Sequence, residues 1–210
     1  MADLFPVDDF NGWADHYDQS VLHTQHFPFT GYEIVLDQVV ELTNAQPGMS
    51  ILDLGTGTGN LAVRFDALGC EVWGTDFSPA MLEKARLKLP NAQLFQIDLR
   101  EVWPSEMNRQ FDFIVSAYVF HHFEFPLKVQ LIKKLVREYL MPGGRLLLAD
   151  IAFESQAALV VVKHTAGDGW EDEFYWLADE IVPALTEANL YAVFYKISSC
   201  GGIFEIAAPV

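Results

Sequence analysis

The chain has 210 residues, 51% of them apolar, with two cysteines and a net charge of −16 from 29 acids against 13 bases. Binding to a phosphate backbone or an anionic membrane relies on Lys/Arg displacing counterions, so this balance disfavours nucleic acid and membrane partners and favours a small molecule. No apolar run is long enough to span a bilayer.

A chain of this length buries about 70% of its unfolded surface and needs no disulfide or metal staple. Met1 to Leu4 is too acidic and too short for a secretory leader, and Cys70 and Cys200 lie far apart in no paired motif. A cytoplasmic protein with cysteines used for packing is expected. The basic residues are scattered: Lys84, Arg86 and Lys88 accompany Glu83, and Lys133, Lys134 and Arg137 share one helix. They read as solvated helix faces.

Residues 8–23 form a polar-aromatic, helical lead-in with Phe10, Trp13 and Tyr17, and residues 32–42 are helical until Pro47-Gly48. A strand over 49–54 precedes a helix over 60–68, ended by Gly69. A second strand, 71–75, is followed by Ser78-Pro79, an N-cap with proline at the first helical position, opening a helix to about Leu89. A third strand spans 93–97, a polar loop or short helix 100–109, and a central strand 111–117, apolar on both faces after Asp112. Pro126 begins a helix to about Leu140, and Pro142-Gly143-Gly144 turns into a strand over 145–151. Residues 153–169 form a connector, 172–188 a helix despite Pro183, and 191–197 with 203–208 an antiparallel hairpin. The alternation predicts an α/β fold, a mostly parallel sheet with helices on both faces. One domain is expected over 1–210: a helical cap over 1–47, a cofactor-binding core over 48–152, and an acceptor-side segment with the hairpin over 153–210.

The run ILDLGTGTGN, Ile51 to Asn60, turns a buried strand on glycines into a helix. Such a turn lets a ligand approach bare backbone. Asp53, Asp76 and Asp98 follow at or near strand ends, which places three carboxylates on one rim of an open sheet. The dinucleotide fingerprint wants its third glycine where Asn60 stands, and no Arg or Lys lies near the loop before Arg64. An acidic rim without phosphate-binding groups suits a cationic adenosyl cofactor, S-adenosylmethionine, better than a nicotinamide dinucleotide.

LDLGTGTG, GTDFS, the acid in QIDL, FDFIVSAYVFHHF and PGGRLLLADI resemble, in that order, the motifs of class I S-adenosylmethionine-dependent methyltransferases. WADHYDQSV and the chain length are similar to the small bacterial YrrT-like methyltransferases. The resemblance covers residues 10 to 155 well and the remainder only by pattern. It implies a Rossmann-like sheet of about seven strands, one made antiparallel by the last hairpin. It implies that Gly55, Thr56 and Gly57 face the methionyl part of the cofactor. Asp76 would take the ribose hydroxyls, Phe77 would flank the adenine, and Asp98 with Leu99 would hold its amine and face. Asp53 would act through the ammonium, Ser116 would lie near the sulfonium, and Tyr17 would close the site. The residues themselves leave rivals open. Asp53 could tie up loop N–H groups, Asp76 could cap the helix after Ser78, and Asp98 could be an N-cap. Gly59 could serve helix–sheet packing, and Tyr17 and Trp13 could be plain packing.

Methyl transfer from a sulfonium mainly requires alignment and exclusion of water, and a base only for a weak nucleophile. His121 and Tyr118 are candidates for contact with an acceptor, His121 as a base. No proline-proline-aromatic motif or cysteine follows the central strand, which argues against nucleic-acid methylation. Asp150 alone makes no convincing metal site, so none is expected. The aromatic segment His164, Asp168, Trp170, Phe174, Tyr175 and Trp176 would cover the pocket or anchor the last helix. A small-molecule methyltransferase, monomeric or homodimeric, is the first expectation. Its alternatives are a protein or tRNA-modification methyltransferase, or a non-catalytic protein that binds S-adenosylmethionine or its demethylated product.

Overall fold

The computed structural model describes residues 6–22, 24 and 26–209. The expected lead-in is two short helices, α1 (Val7–Trp13) and α2 (Tyr17–Val21), and its residue 23 and the Met1–Leu4 stretch lie outside the described residues. Helix α3 (Tyr32–Thr43) follows, then β1 (Ser50–Leu54), α4 (Ala62–Ala67), β2 (Glu71–Asp76), α5 (Pro79–Lys88), β3 (Gln93–Gln96) and β4 (Phe111–Ala117). Ser78 caps α5 as its sequence predicts, its Oγ accepting from the Met81 N–H at 3.2 Å.

The sheet runs β3-β2-β1-β4-β5-β8-β7, completed by β5 (Leu140–Phe153), β7 (Tyr191–Lys196) and β8 (Gly201–Ala207). Strands β1 to β5 pair in parallel, and β8 lies antiparallel to both β5 and β7. All five residues of β1 are buried, because helices cover both faces of a parallel sheet. Alternate side chains feed two cores. Leu52, Leu54, Ile114, Leu146 and Leu148 point to one face, and Ile51, Phe113, Val115 and Leu147 to the other. From β1 the chain winds outward to β3 and returns to β4. The strand order therefore reverses between β1 and β4, and a crevice opens at their carboxyl ends.

Three elements differ from the sequence expectation. Pro142-Gly143-Gly144 is not a turn before the strand but an irregular stretch within β5, where the register against β4 shifts between Phe111 and Phe113. Gly144 permits it, since a Cβ there would stand 2.7 Å from the Asp112 carbonyl oxygen. Helix α6 (Phe125–Lys134) ends early and passes into one π-helical turn over Leu135–Tyr139. Residues 172–175 are not helical: β6 (Trp176–Leu177) pairs with the end of β5 before α8 (Ala178–Glu187) begins. The Trp176 indole N–H donates to Asp150 at 2.8 Å, a tertiary contact that outweighs local helical periodicity. The 153–169 connector is mostly helix α7 (Gln156–Ala166).

Candidate active site

The glycine turn leaves β1 with positive φ at Gly55, Gly57 and Gly59. Gly59 serves packing, because a Cβ there would meet Leu89 at 3.0 Å. A Cβ on Gly57 would meet no protein atom within 4 Å. That open space belongs to a cavity of about 630 Å³ lined by Gly55, Gly57, Asp76 and Phe77 at the strand ends. Tyr17 and Trp13 line it from the N-terminal helices, Tyr118, His121 and His122 from beyond β4, and Glu171, Glu173 and Tyr175 from the C-terminal side.

Asp76 is 7% exposed. Its Oδ2 accepts from the Gly57 N–H and its Oδ1 from the Ser78 N–H, each at 2.8 Å. The carboxylate thus holds the turn at Gly57 and Ser78 and still lines the cavity. Burial pushes its pKa up to about 6 against the pull of these backbone donors. Asp98 and Leu99 line an adjoining pocket of about 60 Å³ that shares Gly55, Asp76 and Phe77 with the main cavity. Burial would raise the Asp98 pKa, but Arg100, donating from Nε at 2.9 Å, lowers it. No helix follows Asp98, so it is not an N-cap.

Three residues expected at the cofactor do not line either pocket. Asp53 is 1% exposed and accepts from Thr56 Oγ1 at 2.8 Å. Burial lifts its pKa to about 7, opposed by the hydrogen bonds from Thr56 and the Ala62 backbone. Thr56 donates its N–H to the Thr75 carbonyl at 2.8 Å, and Ser116 donates its hydroxyl to the Leu54 carbonyl at 2.7 Å. All three lie beneath the turn and brace it, because each polar group must find a partner once the turn is packed on the sheet.

His121 is 6% exposed, and its Nδ1 lies 2.5 Å from Asp150 Oδ1. Asp150, 1% exposed at the end of β5, also accepts the His121 backbone N–H at 2.9 Å and the Trp176 indole N–H. With Nδ1–H donating to the Asp150 carboxylate, Nε2 lies on the other side of the ring, 3.8 Å from Glu173. Burial presses the His121 pKa down, but the charge and hydrogen bond of Asp150 carry it above the ordinary imidazole value. Burial and the neighbouring His121 push His122 down to about 2, so it stays neutral. Lys128 is 2% exposed. Burial lowers its pKa to about 8, and its ammonium donates to the Phe174 carbonyl and stands 4.4 Å over the Trp176 ring.

Donor atoms of His121, His122 and Glu173 lie within 4.8 Å of one another. Asp150 holds His121 through Nδ1 and the backbone N–H, and Glu173 stands 3.8 Å from Nε2, so the three groups form one polar chain that ends at the cavity.

Within the aromatic C-terminal segment, Tyr175 lines the cavity, whereas Trp176 is buried against Asp150 and Phe204. Trp170 stacks on Phe27 at 4.8 Å, and His164, Asp168 and Phe174 are exposed. Sequence reasoning passed over Glu173, Lys128 and Phe27, and it weighed Asp150 only as a metal ligand. A carboxylate ending the strand beside β4 was the available signal for Asp150.

Residues 51–144 match the family described as a methyltransferase domain. An uncharacterized methyltransferase of Anoxybacillus flavithermus is 36% identical over 155 residues, 72% of this chain and 70% of the relative. The chain belongs to the methyltransferases. YrrT of Bacillus subtilis, an uncharacterized methyltransferase, is 34% identical over 176 residues, 82% of this chain and 78% of that one. Among solved structures, magnesium protoporphyrin IX methyltransferase of Synechocystis PCC 6803 shares the fold, with TM-score 0.75 and 19% identity over 96% of this chain and 97% of that one. The DhpI–SAM–HEP complex has TM-score 0.74 and 18% identity over 95% and 94% of the two chains. Family and fold together make this methyltransferase a class I, S-adenosylmethionine-dependent enzyme.

Proposed function

We propose that this methyltransferase moves the methyl group of S-adenosylmethionine to a small-molecule acceptor bound beside His121. The observation that carries the reading is one cavity bounded by the bare backbone of Gly57, the Asp76 carboxylate and the Asp150-oriented imidazole of His121. The chain 1–210 would act as one domain.

The residues present fit the cofactor. Gly57 leaves room where a Cβ would intrude, and no lysine or arginine among the described residues lines the main cavity to demand a phosphate. Gly55 and Gly57 would border the methionyl part, Asp76 the ribose, and Phe77 with Asp98 and Leu99 the adenine in the small adjoining pocket. Asp53, Thr56 and Ser116 would act through the turn they brace, as positioning residues. Tyr17 would close the site. When bound, the cofactor supplies a methyl group on a cationic sulfur, a good leaving group that departs neutral.

The remaining work falls to the chain. His121 Nε2 takes the acceptor's proton, Asp150 stabilises the resulting imidazolium and fixes its orientation, and the aromatic walls exclude water. No metal is required for this. A cavity that also holds the cofactor leaves space for an acceptor of metabolite size. The acidic composition disfavours tRNA as that acceptor, and a silent binding protein would have no use for an oriented base.

The test is turnover. Incubation with methyl-labelled S-adenosylmethionine and a metabolite library should yield a labelled small molecule, and His121→Gln should lower the rate by about 10²–10⁴-fold while S-adenosylhomocysteine still binds. Equal rates in the variant would remove His121 from the chemistry.

A further inference from the structure

The acceptor half of the cavity has a composition of its own. Its walls are aromatic: Phe27, Phe29, Tyr118 and Tyr175. Its charged lining residues are Glu171 and Glu173. The one nearby ammonium, on Lys128, is turned beneath the wall onto the Phe174 carbonyl and the Trp176 face. Lys128 thus presents no ammonium to the cavity, whereas Glu173 lines it with a carboxylate 3.8 Å from His121 Nε2.

Resting on the methyl-transfer reading above, we propose that the acceptor is a small primary or secondary amine, which binds as its ammonium form among these aromatic rings beside Glu173. Aromatic faces and a half-buried carboxylate favour a cation. They penalise an anion, and they give a neutral alcohol only the apolar part of the attraction. The Glu173 carboxylate accepts one ammonium N–H, and His121 Nε2 takes another as a proton. The freed nitrogen lone pair then forms the N–C bond to the methyl carbon. The S–C bond breaks with its electron pair left on sulfur, giving a thioether. The products are a methylated ammonium, S-adenosylhomocysteine and the proton now held on His121, which passes to solvent.

The experiment uses the full chain saturated with S-adenosylhomocysteine and three isosteric probes: phenethylamine, phenethyl alcohol and phenylacetate. Calorimetry at pH 7.5 should show the amine binding about tenfold or more tighter than the alcohol, the scale of one desolvated cation–π or charge contact, with phenylacetate weakest. Glu173→Gln should remove most of the amine's advantage and leave the affinities of the alcohol and of S-adenosylhomocysteine unchanged. An amine that binds no tighter than the alcohol, or not at all, overturns the proposal, as does tighter binding of phenylacetate. Failure of S-adenosylhomocysteine itself to bind would instead sink the cofactor reading, so the two failures are separable.

Discussion

Asp150 Oδ1 sits 2.5 Å from Nδ1 of His121, and the same carboxylate receives the backbone N–H of the residue it orients. A single side chain at the end of β5 therefore fixes both the ring and the turn that carries it. Replacing Asp150 with Asn keeps the shape and removes the charge. Turnover should fall by at least tenfold. In the proposed mechanism neutral His121 is the active form, so kcat/KM should rise with pH through a pKa held above the ordinary imidazole value. In Asp150→Asn that limb should move to lower pH; an unmoved limb would show that Asp150 does not govern the titrating group.

The Asp76 pKa, up at about 6 through burial, gives cofactor binding a proton signature. Hydrogen bonds from ribose hydroxyls favour the ionised carboxylate. Binding of S-adenosylhomocysteine near pH 6 should therefore release protons, measurable by calorimetry in buffers of different ionisation enthalpy. Asp76→Ala should weaken binding by about 1.5–3 kcal/mol and abolish the release.

Asp53 makes a stability statement. Its folded pKa of about 7 lies above its unfolded value, so the folded state holds the proton more tightly. The stability this confers is complete below the unfolded pKa and is lost as pH rises through about 7. Melting temperature should decline more steeply between pH 5 and 8 in the natural chain than in Asp53→Asn. Parallel curves would mean that Asp53 does not titrate in that window.

Gly57→Val should abolish S-adenosylhomocysteine binding while leaving a folded protein. The new side chain would occupy open cavity rather than core, at a backbone φ of +55 that a branched residue adopts poorly. Circular dichroism with retained ligand affinity would contradict the assignment of this space to the cofactor.

Asp18 in α2 accepts from Thr58 Oγ1 at 2.6 Å, Asn60 Nδ2 at 3.0 Å and Lys88 Nζ at 2.6 Å. It ties the N-terminal helices to the glycine turn and to α5. Asp18→Ala should loosen that cover and raise the dissociation rate of S-adenosylhomocysteine several-fold in stopped-flow measurements, with little change in melting temperature.

The glycine turn and its flanking carboxylates were legible in the sequence because local signals coincide there: apolar strands, glycines needing positive φ, and acids near strand ends. Ser78 as a cap and the bounds of β4 followed from the same local rules. Asp53, Thr56 and Ser116 lie beneath the turn and not at the cavity, because a residue near a strand end can turn inward or outward and packing under the turn decides which. The acceptor half was much less legible. Glu173 reaches His121 only because residues 170–175 are drawn along the cavity: the Phe174 N–H donates to the His121 carbonyl at 3.1 Å, and Trp176 is pinned to Asp150. Contacts between positions so far apart in the chain leave no periodicity to read. Lys128 reads as an ordinary helix-surface lysine until that strand of chain covers it.

Because β6 and the stretch before it hang from the end of β5, the wall proposed to receive the acceptor is separable from the turn proposed to hold the methyl donor. Exchange of residues 167–175 between relatives would be expected to transplant preference for one acceptor onto an unaltered engine, a route by which a single scaffold diversifies its chemistry.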